Sequence, residues 1–383
     1  MSKCKHHVRA APTTGEHSAE PMGERAARLA RSLVREPVQA LTAYHVAPAD
    51  GLIKLDAMEN PYGWPSEMLD EWLQLLRDIP INRYPDAGAR ELKGALRKTL
   101  EVPDGMDVLL GNGSDEIIQL LTLCLCGPGR TVLAPDPTFV MYRLLCTAMG
   151  GRYEPVALRS DSFELDMPAM LAAIDSHQPE LIFLAYPNNP TGNLFAREDV
   201  EAVITAAPGL VVLDEAYEPF ARRSWMQRLA DFPNLVVMRT VSKLGLAGLR
   251  LGLLVGASAW LEQLEKLRLP YNINSISQAS ACFALSHYGV FQAQARQIRE
   301  DRARLHQALA RFDVLQVWPS EANFLLCRLL QGDAHALGAA LRARGVLIRV
   351  LDGGGPALAN CLRISVGTPA EIAALLEALE ASL

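Results

Sequence analysis

From residue 108 to residue 255, short apolar runs alternate with longer stretches of helical periodicity, and a turn parts each from the next. The pattern predicts strands at 108–110, 131–134, 152–157, 181–185, 210–213, 235–239 and 251–255, with helices to Cys126 and at 138–149, 166–177 and 197–206 between them. Strands joined by helical crossovers run parallel, because a parallel pair cannot be closed by a tight hairpin. The runs contain few polar residues, as expected for strands covered by helices on both faces. The expected architecture is therefore α/β: a large domain over 66–270, built on a mostly parallel sheet flanked by helices. After Pro270 the rhythm changes to helices within 275–312, strands near 314–318, 323–328, 346–350 and 361–366, and helices at 333–344 and 369–382. That order reads as a smaller α+β domain, to which residues 25–65, otherwise irregular after a short helix at 25–36, add an N-terminal arm. Residues 1–24 are polar and read as a flexible tail.

Composition narrows the function. The chain has 383 residues, enough for two domains. It carries 37 Lys+Arg against 43 Asp+Glu, a net charge of −6, which offers no field for a nucleic-acid backbone. No apolar run approaches the roughly 18 residues that cross a bilayer, and no apolar stretch follows the N-terminal charges, so neither membrane nor secretion is expected. The seven cysteines include no C-x-x-C pair and read as reduced thiols of a cytoplasmic protein. No His/Cys cluster has metal-ligand spacing, so no metal is expected.

In a parallel sheet, ligands gather at the carboxyl ends of the strands, and four strand ends stand out. Gly111-Asn-Gly-Ser-Asp-Glu116 leads from a strand into a helix; its glycines allow close backbone approach, and the helix start favours an anion. It is equally a turn capped by Ser114 or Asp115. Asn188-Asn189-Pro190-Thr191-Gly192 leaves amides at a strand end, although the string alone reads first as a turn. Asp214 ends an apolar strand, where a poorly hydrated carboxylate needs a partner, and Tyr217 follows three residues later. A helix-capping aspartate would read the same way. Ser242-Lys243 opens a glycine-bearing loop that ends at Arg250.

Only seven lysines are present, which makes elimination possible. Lys3 and Lys5 lie in the tail, Lys93, Lys98 and Lys266 fall on solvated helix faces, and Lys54 has no glycines about it. Lys243 alone follows a strand in a glycine-bearing loop, where low dielectric makes an amine nucleophilic. Together the four places suit one ligand: a phosphate for the helix start and Arg250, a protonatable ring nitrogen for Asp214, a ring oxygen for Asn189 and Tyr217, and an aldehyde for Lys243. Pyridoxal 5′-phosphate (PLP) meets all four demands.

With these residues in view, the sequence resembles the fold-type-I PLP-dependent aminotransferases, in the branch that acts on histidinol phosphate. The likeness spans about residues 29–383 and includes Leu41-Thr-Ala-Tyr44, Leu55–Gly63, Arg83-Tyr-Pro-Asp86, Pro137–Tyr142, Arg239–Lys243, Gly248-Leu-Arg250 and Leu362–Thr368. The resemblance implies a seven-stranded large-domain sheet and transamination between L-histidinol phosphate and 2-oxoglutarate. It implies that Lys243 forms the Schiff base and later moves the Cα proton, that Asp214 pairs with the ring nitrogen, and that Asn189 and Tyr217 hold the ring oxygen. Gly113, Ser114, Asp115, Ser242 and Arg250 would hold the phosphate, and Phe139 would stack on the ring. Tyr84 would be lent to the neighbouring subunit's phosphate site, making a homodimer with shared active sites. Arg349 and Arg363 would grip the anionic end of the substrate, with Tyr44, Asn60 and Asn323 lining the site. The sequence departs from the family at Met58, where Asn is usual, at Phe139, where Tyr is common, and in a Lys243–Arg250 loop one residue shorter than in many relatives. Threonine-phosphate decarboxylase and aromatic amino-acid aminotransferase are the neighbouring alternatives. A PLP-binding regulator or a plain nucleotide-binding α/β protein are the distant ones.

Overall fold

The structure is a computed structural model that describes residues 22–43 and 47–383. Tyr44 and most of the expected tail lie outside the described residues. Residues 22–43 comprise a helix at Met22–Leu33 and a short one at Glu36–Gln39, with no buried residue in either.

The remainder is organised around two sheets. Twelve strands are described: β1 (Ile53–Leu55), β2 (Met106–Gly111), β3 (Thr131–Asp136), β4 (Arg152–Ala157), β5 (Leu181–Ala185), β6 (Leu210–Asp214), β7 (Leu235–Thr240), β8 (Gly252–Ala257), β9 (Leu315–Val317), β10 (Phe324–Leu329), β11 (Val346–Val350) and β12 (Cys361–Ser365). The larger sheet has seven strands in the order β2-β8-β7-β6-β5-β3-β4. β8 runs antiparallel to both its neighbours, and the other pairs are parallel. β2 therefore points the same way as β3–β7, and the carboxyl ends of these strands share one edge.

Side chains alternate across this sheet with period two. Val211, Leu213, Leu235 and Val237 pack with Val200, Val203 and Ile204 of the helix Arg197–Ala206. Leu210, Val212, Val236 and Met238 face the other way, onto Ile117 and Leu121 of the helix Ser114–Leu125 and Tyr142 and Cys146 of the helix Val140–Met149. Both faces are thus helix-covered, as the apolar runs require.

The second sheet has five strands in the order β1-β11-β12-β10-β9. Its core includes Ile298 and Leu305 of the 22-residue helix Tyr288–Leu309, and Leu375 and Leu379 of Pro369–Glu380. β1 falls in the stretch expected to be irregular. Its three residues pair in parallel with Val346–Ile348, and so short a segment carries no periodic signal of its own. Its partner lies at the far end of the chain.

Candidate active site

Continuing the alternation past the apolar cores, Ala185, Asp214 and Thr240 are the next residues on the face that carries Phe183, Val212 and Met238. All three line one cavity of ≈ 790 Å³, its mouth included, together with Met58, Ser114, Asp115, Phe139, Asn189, Tyr217, Ser242, Lys243 and Arg250. Four separate strand ends therefore converge.

Asp214 is 4% exposed. Its Oδ2 accepts a 2.6 Å hydrogen bond from the Tyr142 hydroxyl, and its Oδ1 accepts one from the Ala216 amide at 3.1 Å. Burial pushes its carboxyl up to about 6, against these two hydrogen bonds, which favour the anion. Tyr142 is wholly buried and stacks on Phe183 with ring centroids 4.3 Å apart. Burial, and after it Asp214, hold its phenol well above the ordinary range, so it remains a donor. Tyr142 carries no strand-end or glycine signal in the sequence. The signal was its place three residues after Phe139, on the first turn of the helix that begins there.

Lys243 follows β7 in a tight helical turn, Ser242–Leu246, broken by Gly245 at φ 126°. Its Nζ donates to the Ala57 carbonyl at 3.1 Å and lies 5.8 Å from the centroid of the Tyr217 ring. Burial draws its amine down to about 8, and the Arg363 guanidinium adds to the shift. Ala57 comes from the segment after β1, so the smaller sheet supplies one wall of the cavity. Asn60 of that segment is not among the lining residues. Its amide donates to the Leu244 carbonyl and to Gln294, both at 2.9 Å, bracing the loop next to Lys243. Asn323 also stands behind the wall, donating to the Met58 carbonyl at 2.9 Å.

Met58 has φ 53°, in the left-handed region that Asn tolerates better than Met. Its N–H donates to Ser365 Oγ at 2.8 Å, so its backbone is fixed on both sides. The departure from the family pattern thus removes a side chain suited to this backbone while the backbone itself stays anchored.

At the opposite end of the cavity, Gly113 holds the N-cap position at φ 83°, and no side chain caps the helix. Ser114 and Asp115, expected as possible caps, are instead its first two helical residues and line the cavity, and no side chain accepts from the first amides. A Cβ on Gly113 would stand 2.8 Å from Arg250 Nη2, so the glycine serves both conformation and close approach. Arg250 itself bonds Asp115 Oδ2 at 3.2 Å. Ser242 Oγ lies 2.8 Å from Thr240 Oγ1; strand parity, rather than any local motif, is what points to Thr240.

Asn188 is consumed structurally, bonding Thr138, Pro137 and Thr191, and leaves Asn189 to face the cavity. Arg363 Nη1 donates to Asn189 Oδ1 at 2.6 Å, and Nη2 donates to the Asp56 carbonyl at 2.9 Å. Arg349 and Arg363 are directly opposed on β11 and β12. On the other face of the large sheet, Arg239 meets Glu215 at 2.8 Å and Glu218 at 3.4 Å, a buried ionic network that fixes the end of β6 against β7. Tyr84 is not part of the cavity: it is 81% exposed and stacks on Tyr271 at 4.5 Å. Among the described residues, no helix is long and apolar enough to cross a membrane, and no cluster of His, Cys, Asp or Glu side chains suits a metal ion.

Residues 50–379 match the model of the aminotransferase class I and II family. The chain is 54% identical over 348 residues to histidinol-phosphate aminotransferase 2 of Nitrosococcus oceani, covering 91% of this chain and 96% of that protein. It is 50% identical over 350 residues to histidinol-phosphate aminotransferase of Chromobacterium violaceum, covering 91% and 98%. Among solved structures, histidinol-phosphate aminotransferase from Sinorhizobium meliloti in complex with pyridoxal-5′-phosphate superposes with a TM-score of 0.81 at 27% identity, over 92% of this chain and 97% of that one.

The chain belongs to the class I and II aminotransferase family. It is a transaminase of the fold-type-I architecture, and its cofactor is pyridoxal 5′-phosphate. The residues present fit that group. A buried carboxylate calls for a cationic partner, an uncapped helix start beside Arg250 calls for an anion, and a buried amine near neutrality is ready for an aldehyde.

Proposed function

We propose that this chain transfers the amino group of L-histidinol phosphate to 2-oxoglutarate, forming imidazole-acetol phosphate and L-glutamate, a step of histidine biosynthesis in the cytoplasm. The observation that carries the substrate class is the register of β11 and β12. It sets Arg349 and Arg363 side by side on one face of the sheet, a cationic grip for a phosphate or a carboxylate. The identity to the two bacterial relatives supports the same substrate.

When bound, the cofactor supplies an aldehyde for the substrate amine and a ring that accepts the electron pair left by the departing Cα proton. The chain does the rest. Lys243 would hold the cofactor between turnovers and, once free, its neutral Nζ would take the proton from the substrate Cα. Asp214 keeps the ring nitrogen protonated, and Tyr142 keeps Asp214 ionised and aimed. Asn189 and Tyr217 hold the ring oxygen, with Arg363 fixing the Asn189 amide. Phe139 covers a ring face. Gly113, Ser114, Asp115, Ser242 and Arg250 anchor the phosphate. The large domain over 66–270 carries this cofactor machinery, and the smaller one over 271–383, with the segment that holds β1, carries the substrate arginines.

The chain acts as a homodimer with shared sites. The support is the exposed Tyr84–Tyr271 ring pair, which is placed outside its own cavity. Mixing Tyr84→Ala with Lys243→Ala chains checks this: heterodimers rebuild one complete site, and activity should exceed that of either parent. No gain after subunit exchange removes the shared site.

The substrate is tested by single-turnover titration of the cofactor absorbance with histidinol phosphate, phosphothreonine, phenylalanine and glutamate. The expected order puts histidinol phosphate and glutamate ahead. Release of carbon dioxide from phosphothreonine would replace this reading with a decarboxylase.

A further inference from the structure

The chemistry above uses none of the cysteines, yet two of them are in contact. Cys126 Sγ lies 3.4 Å from Cys146 Sγ, the one sulfur–sulfur contact among the described residues. Cys126 ends the helix Ser114–Leu125 and is partly exposed, whereas Cys146 is buried within Val140–Met149. Room for the pair is made by Gly151. A Cβ there would stand 2.0 Å from Cys126 Sγ and 3.2 Å from Cys146 Sγ. Gly151 is not among the positive-φ glycines, so sulfur packing rather than backbone conformation accounts for it.

We propose that Cys126 and Cys146 form a redox-active dithiol that hydroperoxides close to a reversible disulfide, and that this bond alters the grip on the cofactor. The second part rests on the PLP reading of the cavity; the first does not. The Cys126 thiolate attacks the terminal peroxide oxygen, breaking the O–O bond to give a sulfenic acid and an alkoxide (hydroxide from hydrogen peroxide), which takes up the proton the thiol lost and leaves as the alcohol or as water. The Cys146 sulfur then displaces hydroxide, which leaves as water with the thiol proton. Two electrons pass from the thiols to one hydroperoxide, and the net products are one disulfide, one water and one alcohol, the alcohol being a second water when the oxidant is hydrogen peroxide. A dithiol reductant reverses the change.

Chemistry separates this pair from the other thiols among the described residues. The contact with Cys146 draws the Cys126 thiol down to about 7. Burial pushes Cys124, Cys282, Cys327 and Cys361 up. Cys126 is thus the nucleophile and Cys146 the resolving thiol. Bond formation shortens the contact from 3.4 Å to about 2.05 Å. The pull falls on two helices whose opposite ends carry Ser114 and Asp115 on one and, on the other, Tyr142 just after Phe139.

The test uses the reduced holoenzyme, treated with stoichiometric hydrogen peroxide, alkylated and mapped without reduction. The expected result is a Cys126–Cys146 peptide lighter by two hydrogens, lost after dithiothreitol. Cofactor should leave the oxidised wild type several-fold faster than peroxide-treated Cys126→Ala. Because Cys146 is buried, Gly151→Ala serves as a variant that leaves both thiols in place, and it should slow the linkage by displacing Cys126 Sγ. Alkylation of both cysteines as free thiols, or a sulfinic acid at Cys126 beside a free Cys146, overturns the dithiol. Equal cofactor release from the two oxidised proteins overturns its coupling to the site while leaving the PLP assignment untouched.

Discussion

The two ends of the cavity place charge in opposite ways. At one end Asp214 is 4% exposed and fixed by a buried tyrosine and a backbone amide. At the other, the Arg250 side chain is 50% exposed and shares its charge with Asp115. A buried carboxylate is held at high free energy until a cation meets it, so its effect on a bound ring is large and directional. A half-solvated guanidinium is already hydrated and adds modestly to what the helix amides supply. On the proposed assignment the Asp214 end therefore governs chemistry and the Arg250 end governs retention.

Substitutions should separate these two contributions. The widest effect belongs to Lys243, which lines the same cavity. Lys243→Ala should bind PLP only non-covalently, lose the Schiff-base absorbance and lower turnover by about 10³-fold or more. A visible Schiff base with near-normal turnover would place the nucleophile elsewhere. Asp214→Asn should follow, lowering kcat by roughly 10²–10³-fold, in line with removal of one partner of a buried ion pair. Its cofactor affinity should fall far less than its rate, as single-turnover kinetics against equilibrium dialysis will show.

Tyr142→Phe keeps the packing and removes one donor to an anion. A loss of about 10-fold or somewhat more is expected, with Asp214 protonating more readily, visible as an upward shift in the acid limb of the rate profile. Arg250→Ala should weaken PLP retention by only a few-fold and make it less salt-dependent. If Arg250→Ala slowed chemistry more than Asp214→Asn, the division between the ends would be reversed. The smallest effect is on stability. In the cofactor-free chain Asp214 is raised from 3.8 to about 6, so the native state holds a proton that the unfolded state has released. Its contribution should therefore decline as pH rises through that window, and thermal melts of wild type against Asp214→Asn should diverge there.

The same contrast explains what was legible in the sequence. Asp214, Asn189 and Lys243 announced themselves because each follows an apolar run, and a strand end is a local signal. The large sheet was legible for the same reason. Tyr142 and Thr240 were not recognised, although both sit on the parity that places Asp214: Tyr142 covers that face, and Thr240 ends the neighbouring strand on it. Reading strands as two-sided rather than as apolar blocks recovers them. β1 is a different kind of miss. Three residues cannot declare a strand, and Ile53–Leu55 becomes one only because Val346–Ile348 accepts it. The brace formed by Asn60, and Met58 in its left-handed conformation, follow from that pairing and have no local cue.

The hydrogen bond from Lys243 to the Ala57 carbonyl carries this dependence to the amine proposed to react. The resting place of the amine belongs to a segment whose position is dictated by β11, far downstream in the chain. A packing change under Val346 or Ile348 should thus be felt at the Lys243 amine through a single peptide group. Random mutagenesis should find rate-altering substitutions there, in residues that touch neither substrate nor cofactor.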